Sequence, residues 1–188
     1  APALLAPLAA RHWEAGNLEE ARETYYRLFA VQPNDPKDRV TWMRIEWQNG
    51  HRDAARHIAA HSAPQLHRPE QQAALWRELA ALETTLGSVQ RRLDALRQAA
   101  ACVPTHVHTL KLIAACERDL GYHDQERQTL TRITELAPKD WQSWWRLAEI
   151  HAAEKRGGAV NHALSQAVTL NPRLRPKAAE LWRKMLED

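Results

Sequence analysis

Proline and glycine recur in this chain at a fixed interval. Pro104, Pro138 and Pro172 step by 34, and Gly16 to Gly50 and Gly87 to Gly121 each span the same interval. Pro33 precedes Pro104 by 71, one interval of 34 and one of 37. A period of this size marks an array of small supersecondary units, none able to bury its own apolar face alone. Between the marks Ala, Leu, Arg, Glu and Gln dominate, and strict polar–apolar alternation is nearly absent. Each unit is therefore expected to be a pair of antiparallel helices joined by a tight turn. The six glycines are expected at those turns, where the backbone needs positive φ or close helix approach.

Within each interval the apolar and small residues keep one phase. The third unit has Trp76, Leu79, Ala80, Glu83, then Leu96, Ala99 and Pro104; the fourth has Leu110, Ile113, Ala114, Glu117, then Leu130, Ile133 and Pro138. The fifth has Trp144, Leu147, Ala148, His151, then Val160, Leu164, Ala167 and Pro172, and the first has Leu5, Leu8, Ala9, His12, then Ala21, Tyr25, Leu28 and Pro33. The second is degenerate, with Arg39, Trp42, Met43 and Glu46, then Ala55 and Ala59, and His67 in the proline position. Three extra residues around "SAPQLHRPE" account for the interval of 37 and read as a long loop and flex point. This phase resembles the tetratricopeptide repeat (TPR), whose pattern is Trp-x2-Leu-Gly-x2-Tyr, Ala-x3-Phe and Pro.

The resemblance implies an all-α, right-handed α-α superhelix of about eleven helices. Repeats run approximately over 2–35, 36–69, 73–106, 107–140 and 141–174 in one array, with a capping helix at 175–188. Ala9, Ala80, Ala114 and Ala148 fall where paired helices nearly touch. Asn17 with Glu20, Asp35 before Pro36, Ser88 and Asp140 are expected helix caps. In the last helix Ala178, Leu181, Trp182 and Met185 are expected to cover the fifth repeat, with Lys177, Glu180, Arg183 and Lys184 facing water.

Composition removes several function classes. Charged residues make up 26% of 188 and no apolar run approaches a membrane span. The opening "APALLAPLAARHW" has no basic n-region or long apolar core, so no signal peptide is expected within it. Net charge is +3, with basic and acidic residues interspersed and no Lys/Arg tract, so nucleic acid is not the expected partner. Cys102 and Cys116 are expected to be thiols rather than a disulfide. No phosphate loop, HExxH or CxxC is present, and no nucleophile–base spacing stands out. His57 and His61 share an i, i+4 face, and Cys102, His106 and His108 cluster at a turn, but neither makes a full metal ligand set. No enzyme activity, cofactor or metal is expected.

In TPR proteins the first helix of each repeat lines a concave groove through repeat positions 2, 5, 9, 12 and 13. On this chain the resemblance carries that role to Trp13 and Glu14; Lys37, Val40, Arg44, Trp47 and Gln48; Arg77, Thr84 and Thr85; His108, Lys111, Arg118 and Asp119; Gln142, Trp145 and Glu149; and Arg183 from the cap. Lys37, Arg44, Arg77, Lys111, Arg118 and Arg183 outnumber Glu14, Asp119 and Glu149. Trp13, Trp47 and Trp145 are expected to be partly exposed there, and Arg and aromatic side chains are common anchors of binding energy. The partner-binding set is thus Trp13, Lys37, Arg44, Trp47, Arg77, His108, Lys111, Arg118 and Trp145. Trp144 is expected to pack, and Trp141 to staple its helix start. The Lys/Asn carboxylate clamp of chaperone adaptors is absent, because positions 5 and 9 hold Ala6/Ala10, Val40/Arg44, Arg77/Ala81, Lys111/Ala115 and Trp145/Glu149.

The expected function is a protein-interaction scaffold for a segment rich in acidic and apolar residues. An alternative follows from a compositional likeness: Ala/Arg/Trp-rich repeats of this style resemble the periplasmic repeats of bacterial exopolysaccharide secretion systems, which implies contact with polymer or with assembly partners. The compartment, periplasm or cytoplasm, stays open. Self-association through the apolar "APALLAPLAA" is a further expectation.

Overall fold

In the computed structural model the structure describes residues 4–31, 36–86 and 88–187. Among them are eleven α-helices and no strand. The chain divides into two compact units, Ala1–Pro104 and Thr105–Asp188. The first holds α1 (Leu5–Glu14), α2 (Leu18–Val31), α3 (Pro36–Gln48), α4 (Arg52–Ser62), α5 (Pro69–Leu86) and α6 (Val89–Cys102). The second holds α7 (Val107–Asp119), α8 (His123–Leu136), α9 (Trp141–Ala153), α10 (Gly157–Leu170) and α11 (Arg175–Glu187). Each odd-numbered helix up to α9 packs chiefly on the even-numbered helix that follows it, giving five hairpins, and α11 packs on α9 and α10.

The hairpins close on small residues. Ala9, Ala80, Ala114 and Ala148 are buried, as are the larger side chains Tyr25, Leu96, Leu130 and Leu164 from the second helices. The second repeat reverses this distribution: Met43 occupies the alanine position and Ala59 the large one, both fully buried. A large-for-small exchange keeps the summed core volume, which close-packed interiors tolerate.

The turns follow the glycine period with one substitution. Gly16, Gly50 and Gly121 have φ of +78°, +82° and +74°, which only glycine adopts cheaply. In the fifth repeat the left-handed residue is Lys155, at φ 55°, one full interval after Gly121. Gly157 and Gly158 instead open α10, so the expectation that every glycine sits in a turn fails there. Gly87 lies outside the described residues.

Caps are likewise mixed. Ser88 accepts the Arg91 N–H at 3.4 Å. Asp140 stands at the N-cap of α9 without capping it. Its oxygens accept from Lys111 Nζ at 2.8 Å and the Ser143 hydroxyl at 2.6 Å. Asp35 lies outside the described residues; Pro36 does open α3.

The stretch read as a long loop and flex point carries a short helical turn and several hydrogen bonds. Ala63–Gln65 forms a 3-10 turn, and both Ala63 and Leu66 are buried. Arg39, itself buried, donates to the Ser62 carbonyl at 3.0 Å and to Gln65 Oε1 at 2.9 Å. Burial lowers the Arg39 pKa, because a desolvated cation is disfavoured. Gln72 Nε2 donates to the Leu66 carbonyl at 2.7 Å. At the C-terminus Ala178, Leu181, Trp182 and Met185 are half-buried while Lys177, Glu180, Arg183 and Lys184 are exposed, the division expected of a cap.

Candidate functional site on the first helices

Repeats adhere partly through buried carboxylates. Glu46, Glu83 and Glu117 occupy the tyrosine position of the repeat pattern, and all three are buried. Glu46 accepts from Arg22 Nε at 2.7 Å and from the Trp42 indole at 3.0 Å. Glu83 accepts from Arg56 at 2.6 and 3.3 Å, and Glu117 from the Thr129 hydroxyl at 2.8 Å. Arg22 and Arg56 hold the same place on the second helix of the preceding repeat, so a partly buried ion pair stitches each of these two junctions. Removing one partner of such a pair is costly even where the pair itself adds little.

In the first unit the proposed groove residues divide by burial. Lys37 and Arg44 are exposed on α3, and Arg77 is half-exposed on α5. Arg44 is not a bare cation: its guanidinium pairs with Glu78 at 2.6 Å. Arg77 has no ion pair among the described residues. Trp13 is half-buried against a core cluster of Ala9, Ala21, Tyr25, Leu28 and Ile45. Trp47 is only 5% exposed. The Arg52 and Arg56 guanidinium carbons lie 6.0 and 5.6 Å from its ring centroid, within cation–π range. The expected exposure of Trp47 therefore fails: its ring is core, capped by two arginines.

In the second unit the residues converge. Lys111 and Arg118 on α7 and Gln142, Ser143 and Arg146 on α9 line one cleft of about 270 Å³. Ala114, Ala115, Leu130 and Ile133 supply apolar wall and Glu126 and Asp140 supply acid. The Arg118 guanidinium is exposed and its nearest carboxylate, Asp119, is 3.7 Å away. The cleft falls just below the range for drug-sized ligands, so it suits one side chain of a polypeptide better than a cofactor. Trp145 is half-buried and its indole donates to Glu149 Oε1 at 2.8 Å. His108 is exposed, edge-on to His106 at 6.3 Å. Trp144 donates to the Pro138 carbonyl at 3.0 Å and meets His162 edge-on at 5.5 Å, a packing role.

Sequence reasoning missed Arg146 and its partners. Arg146 grips Glu126 with Nε at 2.7 Å and NH2 at 3.0 Å, and reaches Glu149 with NH1 at 3.0 Å. These bonds raise the Arg146 pKa further above the guanidinium's ordinary value. The i, i+3 pairing of Arg146 with Glu149 was the one local signal; Glu126, 20 residues back, carried none.

Other clusters offer less. His57 and His61 rings stack 6.0 Å apart, both exposed. Among the described residues no group of three or more His, Cys, Asp and Glu could hold a metal ion, and no helix is long and apolar enough to cross a membrane. Cys102 and Cys116 are free thiols, and burial raises the Cys102 pKa.

Five antiparallel helix pairs at a regular interval make an all-α helical-repeat fold. Solved structures agree. The chain aligns with MamA over 93% of its length and 94% of that protein, at 12% identity and a TM-score of 0.58. It aligns with YrrB, a TPR protein with an unusual peptide-binding site, over 89% and 85%, at 13% identity and a TM-score of 0.56. Cut9, in the Cut9–Hcn1 hetero-tetramer of the APC/C, aligns over 98% of this chain and 43% of that one, at 13% identity and a TM-score of 0.50. At such identities the shared property is the fold. No protein-family model and no curated protein sequence matches the chain.

Proposed function

We propose that the chain is a non-enzymatic protein-interaction scaffold that holds a polypeptide segment bearing acidic and apolar side chains. The observation that carries this reading is the α7–α9 cleft, where the exposed Arg118 guanidinium stands beside an apolar wall of Ala114, Ala115, Leu130 and Ile133. An apolar side chain of the partner enters the cleft and an adjacent carboxylate meets Arg118 in a charge-assisted bond. Lys111 contributes by exchanging Asp140 for the partner's acid. His108 and Trp145 flank the same helices. In the first unit Lys37, Arg44 and Arg77 attract acidic residues and Trp13 offers a partly exposed ring. Trp47 is excluded from the contact set by its burial. Direct contact with a sugar polymer is the competing reading; no feature of the cleft favours it over a polypeptide.

Affinity capture from the native organism's extract tests this, with wild type beside an Arg77→Glu/Arg118→Glu variant of unchanged helicity. A protein held by wild type and lost by the variant supports the scaffold reading. Equal capture by both sinks the cation-led site. Oligosaccharide-induced changes in Trp fluorescence, with no differential protein, would favour the polymer.

A further inference from the structure

The α2–α3 and α4–α5 junctions of the first unit carry different side chains at the same places. At the earlier junction Tyr26 of α2 meets Trp42 of α3 edge-on, with ring centroids 4.8 Å apart. The Arg22 guanidinium carbon lies 5.6 Å from the same tyrosine ring. One repeat later, 34 residues on for the second helix and 37 for the first, these places hold Ala60, Leu79 and Arg56. The arginine is kept, but a methyl group and a leucine stand where two rings meet. The structure has a cleft there of about 320 Å³, between α4 and α6 and floored by α5. Leu79 is buried and Trp76 half-buried on the floor, and Ala60, Arg91 and Gln98 are exposed at the rim. Arg56 is paired with Asp53 and Glu83, both at 2.6 Å. Arg91 makes no ion pair among the described residues, and Asp94, one turn along α6, accepts from Gln90 at 3.0 Å.

We propose that the α4–α6 cleft is a docking site for an aromatic side chain of a partner polypeptide, with a neighbouring carboxylate of that partner held by Arg91. The ring takes the place that Tyr26 fills at the α2–α3 junction, over Leu79 and beside Trp76, where aromatic pairs favour edge-to-face or offset contact. The volume lies near the lower limit for drug-sized ligands, so it fits one ring. The carboxylate follows from Arg91, an exposed guanidinium able to grip one in a charge-assisted bond. This cleft lies in the first unit and shares no residue with the α7–α9 cleft. It is a separate contact and stands whether or not the other does.

Amide and indole NMR of the intact chain tests this, with N-acetyl-Tyr-Glu-amide as probe and N-acetyl-Ala-Glu-amide as control. The tyrosine probe is expected to bind with a dissociation constant of about 1 mM, shifting the Trp76 indole and the Ala60 and Ala95 amides. The alanine probe is expected to bind at least about tenfold more weakly. Ala60→Tyr restores the side chain of the α2–α3 junction and is expected to abolish the shifts. Arg91→Glu is expected to weaken the tyrosine probe severalfold. Arg77→Glu/Arg118→Glu is expected to bind it like wild type, which separates this cleft from the cations of the first helices. No saturable shift at the cleft, equal affinity for the alanine probe, or undiminished binding by Ala60→Tyr overturns the proposal. Should Ala60→Tyr misfold, unchanged affinity in the surface variant Arg91→Glu overturns it.

Discussion

Arg44 and Glu78 lie one repeat apart in the chain, and their side chains meet at 2.6 Å. A cation that the resemblance to TPR proteins would give to partner binding is thereby paired within the protein. Its side chain is 47% exposed and that of Glu78 26%, so the pair contributes little to stability. Glu78→Gln is expected to change the unfolding free energy by less than about 1 kcal/mol while tightening binding of an acidic partner severalfold. Urea denaturation and a partner titration check the two halves; weaker binding would mean that Glu78 itself touches the partner.

Arg146 and Glu126 show the opposite balance. Glu126 is buried and depends on Arg146 for two bonds. Arg146→Ala is expected to destabilise by about 3 kcal/mol or more, because an uncompensated carboxylate remains inside. Arg146→Met with Glu126→Leu is expected to recover most of that loss, since a buried pair often exchanges for apolar residues at small net cost. A double-mutant cycle by chemical denaturation measures both.

The tryptophans separate packing from contact. Trp47→Ala is expected to cost about 3–5 kcal/mol, as large core truncations do, and to alter binding only through unfolding. Trp145→Ala is expected to cost less than Trp47→Ala and to weaken partner binding in protein that remains folded. Thermal melts beside a binding assay distinguish them; equal stability losses would show that both rings are core.

The turns offer a backbone test. Gly121→Ala places a side chain at φ +74° and is expected to destabilise by about 1–2 kcal/mol. Lys155→Gly relieves a left-handed lysine and is expected to be stabilising or neutral, since the gain offsets the added freedom of the unfolded chain. Gly158→Ala, in α10 with open space around its Cβ, is expected to stabilise by up to about 1 kcal/mol. Shifts in urea midpoint report all three.

Alkaline stability should follow Tyr25. Burial pushes its phenol above the ordinary value, while a hydrogen bond with Thr41 opposes the shift. The folded state then holds the phenolic proton more tightly than the unfolded one. The resulting stabilisation is complete below pH of about 10 and is lost as pH rises through the folded pKa. Tyr25→Phe is expected to flatten this alkaline decline in pH-dependent denaturation; an unchanged slope would place its origin elsewhere.

The helix pairs, their turns and the cap were legible because their determinants are local. Apolar spacing, alanine at the close approach and glycine at positive φ act within one repeat, so the period fixes them. Met43 blurred the second repeat only because its compensation, Ala59, lies on the other helix. Lys155 escaped notice because the period predicts a left-handed turn there while the residue type does not. For the candidate site the sequence offered residues on the first helices, and the ion pairs that Arg44 and Lys111 make across helices were not legible in it.

By itself, then, the sequence determined an all-helical array of regular period and the helices that carry its cations. Tertiary structure decided which cations stay available. Arg44 meets Glu78, Lys111 meets Asp140 and Arg146 meets Glu126, each pair far apart in the chain. Tertiary structure also made Trp47 core and left Trp145 half-buried, although the resemblance implies the same role for both. Helical periodicity sets the direction of a side chain from its own helix. Burial and pairing depend on what the neighbouring helices bring to meet it.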